Sequence, residues 1–146
     1  MAGAALAPAA SFITFQVPNC PGGTQAADIN DKGVIVGSCG SPTGQGFIRD
    51  PFGHFTLLPN LFPNAINIHG AITGEANGPN QGFVRSDSGV VTTFSAGLGA
   101  TFPVAINDRG QIVGTTEGVI RQAFLPRGER DHRFQFLPKP SPGQLH

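Results

Sequence analysis

The sequence predicts an all-β fold in which three four-stranded antiparallel repeats are arranged as propeller-like blades, and three observations lead there. The stretch Ile29-Asn30-Asp31-Lys32-Gly33-Val34-Ile35-Val36-Gly37 returns as Ile66-Asn67-Ile68-His69-Gly70-Ala71-Ile72-Thr73-Gly74 and again as Ile106-Asn107-Asp108-Arg109-Gly110-Gln111-Ile112-Val113-Gly114. The copies start 37 and 40 residues apart, a period at which sequences build propeller blades or solenoid units. Each copy is trailed by an aromatic segment: Gly46-Phe47-Ile48-Arg49, Gly82-Phe83-Val84-Arg85 and Ala123-Phe124-Leu125. Finally, 21 Gly, 13 Pro and 12 Phe with neither Trp nor Tyr describe short pleated strands between tight turns rather than long helices.

The elements follow in order. Residues 1–11 form a small, apolar, flexible end, at most the remnant of an export signal because no positive region precedes it. Copy one reads as strands at Ala26–Ile29, Val34–Cys39, Gln45–Asp50 and His54–Leu58. The first pair is joined through Asn30-Asp31-Lys32-Gly33, where Asn bonds forward to the backbone and Gly takes a positive φ. The second is joined through Asp50-Pro51-Phe52-Gly53, with Pro in its favoured turn position; Ser86-Asp87-Ser88-Gly89 is the counterpart in copy two. The domain spans 12–138, with repeats at about 26–58, 63–98 and 102–138, and residues 139–146 form a Pro-rich flexible tail.

A β-trefoil, also threefold with four strands per copy, is the alternative. Blades are preferred because Ala27, Ala65 and Ala105 on the first strands suit a crowded axis. One strand is in surplus: Phe12–Asn19 matches the last strand of a repeat, Phe55–Asn60, while copy three has its own in Phe134–Pro138. An open edge invites pairing, so the expectation is a homodimer through that edge, or an edge covered by an exchanged strand.

Composition limits the partners. Nine basic residues balance nine acidic ones and only 12% of residues are charged, so no basic stripe exists for nucleic acid and no polybasic anchor for a membrane. No apolar run approaches a membrane span. Cys20 and Cys39 are the only cysteines. In the first hairpin residue 39 faces roughly residue 24, which puts a disulfide to Cys20 within reach; two buried reduced cysteines are the equal alternative.

The repeated Ala27–Gly37, Ala65–Gly74 and Ala105–Gly114 stretches, each followed by its Phe segment, resemble the HAF-type extracellular repeat family, whose units carry A-x-I-N-D-x-G-x-I-V-G and then an A-F-L-W-like element. Every copy here lacks the Trp, and Ile68-His69 replaces the acidic turn of copy two. The resemblance covers nearly all of 12–138 and implies a secreted or periplasmic, bacterial, propeller-like protein, with no activity attached.

Hairpin logic gathers Asn30, Asp31, Asp50, His54, Asn67, His69, Asp87, Asn107, Asp108, Asp131 and His132 on one rim, and the milder Glu75, Asn77, Asn80, Thr115, Thr116 and Glu117 on the other. Asn30, Asn67 and Asn107, with Asp31 and Asp108 beside them, offer oxygen atoms to a hard cation such as calcium, although the same residues serve a bulged turn on their own account. His69 stands where the other copies have Lys32 and Arg109, and an imidazole beside a bound cation can act as general base toward water. The expected function is a calcium-assisted hydrolase of a small lactone or ester, such as an acyl-homoserine lactone, by analogy with propeller lactonases whose own motifs are absent here. The alternative is a non-catalytic secreted module that binds glycan or protein through loops such as 78–80 and 95–101.

Overall fold

The computed structural model describes residues 10–40, 44–77, 80–97, 99–118 and 120–125. All of their regular structure is β. Sheet one runs β1 (Thr24–Ile29), β2 (Ile35–Cys39), β3 (Gln45–Arg49), β4 (Phe55–Pro59), and sheet two runs β5 (Leu61–Ile66), β6 (Ile72–Ala76), β7 (Gly82–Arg85), β8 (Val91–Phe94). Sheet three holds β9 (Ala100–Ile106), β10 (Ile112–Glu117) and β11 (Gln122–Phe124). Every pairing is antiparallel between neighbours in sequence. No strand pairs with a strand of another copy among the described residues, so the copies do not share a barrel as the trefoil alternative requires. The expected last strand of copy three, Phe134–Pro138, lies outside the described residues, as do Asp131 and His132.

The repeated motif folds the first hairpin by local chemistry. Asn30 Oδ1 accepts the N–H groups of Lys32 and Val34, both at 3.0 Å, and Gly33 closes the turn at φ 82°. Asn67 and Asn107 repeat this with Gly70 and Gly110. The closing glycine of each motif answers a different demand. In each first strand one residue bulges out of the ladder opposite that glycine: Ala27, Asn64 and Val104. The bulge pushes the partner backbone toward Gly37, Gly74 and Gly114, where a Cβ would overlap the carbonyl oxygens of Gln25, Phe62 and Phe102 respectively.

The strand register corrects the expected alignment of alanines. Ala27 is itself the exposed bulge residue, while Ala65 and Ala105 occupy the position of Asp28, so no ring of alanines forms.

The sheets stack face to face in chain order, with the first strand of each repeat lying against the preceding sheet. Alternation sends Val36 and Ile48 of sheet one toward Ile66, Ile72 and Phe83 of sheet two. Val84 of sheet two meets Ile112, Ile106 and Phe124 of sheet three in the same way. Sheets one and three share no comparable packing among the described residues. Polar ties span both joints: Asn30 Nδ2 donates to Asn67 O at 3.0 Å and Asn67 Nδ2 to Asn107 O at 2.9 Å, while Asp28 Oδ2 accepts the Ile66 N–H at 2.9 Å.

The N-terminal segment departs from expectation. Residues 12–19 make no strand; they run as a strap over the outer face of sheet one, where Val17 and Phe15 pack on Phe47 and Phe55. Pro18 and Pro21 have no N–H for a ladder, Val17 N–H is taken by Thr24 Oγ1, and Arg49 lies over the Phe15 ring at 5.0 Å. Cys20 and Cys39 are joined in a disulfide with a Cα separation of 5.3 Å, and Cys39 pairs with Thr24 as the hairpin register requires. Closing 19 residues of chain, the bond stabilises the fold by roughly 3 kcal/mol on the chain-entropy account.

Candidate functional site

Among the described residues the antiparallel meander places the first and third turns of repeats one and two and the first turn of repeat three on one rim, as the hairpin reading expects, and a cavity of about 530 Å³ opens there between repeats two and three. Its walls come from three turns. Asn67, His69 and Ala71 belong to the first turn of repeat two; Val84, Ser86, Asp87, Val90 and Thr92 to its second hairpin; Asp108 and Gly110 to the first turn of repeat three. Gly70, held at φ 84°, lets Asp87 approach its turn closely. Ser86 shapes the second hairpin, accepting the Val90 N–H on Oγ and the Gly89 N–H on its carbonyl.

A comparison of copies shows why the cavity forms here. Repeat one carries Val34 and Ile48, which pack into the core of the first joint; the corresponding residues of repeat two are Ala71 and Val84. Two side chains are shortened, and the cavity beside them is lined by His69, an exposed imidazole where the other copies carry longer cations. His69 thus lines the same cavity as Asp87 and Asp108. The sequence had marked His69 and Asp108 but not Asp87 as a partner, and the signal for the cavity was the loss of methyl groups at Ala71 and Val84.

The three asparagines do line up at one end of the stack, as expected, but their oxygens are committed. Each Oδ1 accepts two turn N–H groups, which fills both lone pairs, and the Nδ2 of Asn30 and of Asn67 donates to the following repeat. Asp108 Oδ1 accepts the Ile68 N–H at 3.0 Å, leaving Oδ2. Asp31 is exposed on the turn of repeat one, away from the cavity lining. Calcium takes about six to eight oxygen ligands, and this donor set falls short of that. Among the described residues no three His, Cys, Asp or Glu side chains are grouped to hold a metal ion.

His54 is spoken for by its own turn: its ring Nδ1 lies 3.0 Å from Asp50 Oδ2, and Asp50 Oδ1 accepts the N–H groups of Phe52 and His54. The His54 N–H, first among these bonds, holds the Asp50 carboxyl below its ordinary pKa. On the opposite rim Glu75, Asn77, Asn80 and Thr101 border a shallower hollow of about 300 Å³ between repeats two and three. No protein-family model, curated protein or solved structure matches the chain.

Proposed function

We propose that the three sheets are consecutive blades of a secreted, non-catalytic binding module, and that a glycan seats in the rim cavity between repeats two and three. The observation that carries this reading is the cavity's make-up: apolar Ala71, Val84 and Val90 line it together with the polar Ser86, Asp87, Thr92, Asp108 and His69. A sugar ring presents one apolar face and a belt of hydroxyls, and a mostly apolar hollow with a few convergent polar groups suits it. The saturated asparagines support the same reading, because they give the rim a structural role. Secretion is supported by the Cys20–Cys39 disulfide and by the resemblance to HAF-type extracellular repeats.

An array of immobilised oligosaccharides tests this directly. The chain is expected to bind at least one glycan class, and Asp87→Ala or His69→Ala to weaken that binding about tenfold or more, the loss of one charge-assisted hydrogen bond. Binding to no glycan would reject the reading.

One observation favours hydrolysis of a small lactone as a second reading: His69 shares its cavity with two carboxylates, and an imidazole there can take a proton from an attacking water. No step is assigned to calcium, since the donor set does not fit it. Lactone turnover that disappears in His69→Ala, with the fold unchanged, would favour this reading over the first.

A further inference from the structure

The first joint and the second joint are built from the same motif, and at the turn rim they differ in one consistent direction. Val34 and Ile48 pack into the first joint; Ala71 and Val84 stand at those positions in repeat two and line the cavity of the second. Val to Ala removes two carbon atoms and Ile to Val removes one. Two further apolar positions become carboxylates. Asp87 stands where repeat one has Pro51, and Asp108 stands where the first turn of repeat two has Ile68. The turns fix both equivalences. Pro51 and Asp87 each precede by two residues a glycine at positive φ, Gly53 or Gly89, and each lies beside the first-turn glycine of its own repeat, Gly33 or Gly70. The turns that carry Ile68 and Asp108 are each tied to the preceding repeat in the same way, through Asn30 and Asn67.

Neither carboxylate is needed to close its turn. Gly53 N–H reaches Asp50 O with Pro51 in place, and Gly70 N–H reaches Asn67 O with Ile68 in place. Asp87 commits neither side-chain oxygen to a described residue, and Asp108 commits only Oδ1, to the Ile68 N–H. As carboxylates both are acceptors only. Among the described residues no lysine or arginine lines the cavity; the cation of the other copies, Lys32 or Arg109, is replaced there by His69.

The second joint therefore exchanges an apolar seal for a gap a few carbons in size, with acceptor oxygens in the same lining. A ligand group that suits it ends in a methyl and carries an N–H next to that end. An acetamido group has both: its methyl takes the place of the missing side-chain carbons and its N–H donates to a carboxylate. The His69 ring, which keeps an N–H in either protonation state, supplies a donor for the amide carbonyl. A hydroxyl in the same place brings a donor without the methyl, and an ammonium brings charge without the apolar end.

We infer that the cavity selects sugars bearing an N-acetyl group, with Ala71 and Val84 as the residues that set the preference. This rests on the cavity being a glycan site and names the class of glycan it takes. A methylene gained or lost in an apolar pocket discriminates by about 10- to 200-fold, so an acetylated sugar should bind about tenfold or more tighter than its non-acetylated counterpart.

The test is a binding titration of the full chain against matched oligosaccharides, in gluco and galacto configurations, that carry on the second ring carbon an acetamido group, a free amine or a hydroxyl. The acetylated member is expected to bind tightest. Tighter binding of the free amine would show that the carboxylates alone choose the ligand, and equal binding of all three would show no preference; either overturns the inference and leaves glycan binding standing. Binding of none of them, with other glycans bound, also overturns it, whereas binding of no glycan at all removes the site. Ala71→Val combined with Val84→Ile restores the carbons of repeat one and is expected to abolish the acetyl preference while the chain stays folded by circular dichroism. Val84→Ile alone serves if the double variant does not fold, and an undiminished preference in the folded variant would overturn the inference.

Discussion

Gly74→Ala is expected to destabilise the protein by at least about 3 kcal/mol, beyond the usual range for overpacking. The cause is backbone meeting backbone. Gly74 pairs with Pro63 next to the Asn64 bulge, and a Cβ there would overlap Phe62 O and lie 2.8 Å from Pro63 Cα. Neither atom can rotate aside, and relief would require undoing the bulge that seats Pro63 over Gly46. A loss of this size is a large part of the roughly 5–15 kcal/mol that holds a typical domain together. Gly118→Ala provides the control, because nothing lies within 4 Å of its Cβ position; it should change stability by less than about 0.5 kcal/mol. With no Trp or Tyr in the chain, far-ultraviolet circular dichroism in urea is the suitable readout. Equal midpoints for Gly74→Ala and the unaltered chain would contradict the bulged register.

Phe83→Ala should cost about 3–5 kcal/mol, as truncation of a large buried ring does. Phe83 is fully buried on β7 and joins Val36 of sheet one to Ile66 and Ile72 of sheet two, so its removal opens a cavity within the first joint. Phe52 makes the contrast: it is 84% exposed on a turn, and Phe52→Ala should leave the urea midpoint within about 0.5 kcal/mol. A small effect at Phe83 would mean that sheets one and two do not bury their facing sides.

Much of this architecture could be read from residue order because it is set locally. Asn followed three residues later by Gly folds its hairpin without help from the rest of the chain, and the first hairpin's register brought Thr24 opposite Cys39 as expected. The alignment of first strands was harder. Ala27 stands two residues before Ile29 whereas Ala65 and Ala105 stand one before Ile66 and Ile106, so the position of Ala65 belongs to Asp28 and Ala27 falls on the bulge. The bulges themselves have no such local signal, because they go with the close approach of two backbones at Gly37 and Gly74. The strap departs from its expected strand for a related reason. Its alternation at Phe15 and Val17 suits a strand, but alternation alone does not supply a neighbouring ladder.

The candidate site was half legible. His69 stood out because the copies around it agree on a long cation, whereas the cavity depends on methyl groups absent at Ala71 and Val84 and shows only when the copies are compared position by position. The metal expectation rested on counting oxygens by residue type. Lone pairs already used by turn N–H groups are invisible to that count.

The three sheets stack in chain order, tied across their faces by the asparagine file. Nuclear Overhauser contacts from the side-chain amide protons of Asn30 and Asn67 measure it most directly. Contacts are expected from Asn30 to the backbone at Asn67 and Ile68, and from Asn67 to Asn107 and Asp108. Amide protons that contact only residues of their own turns would contradict it.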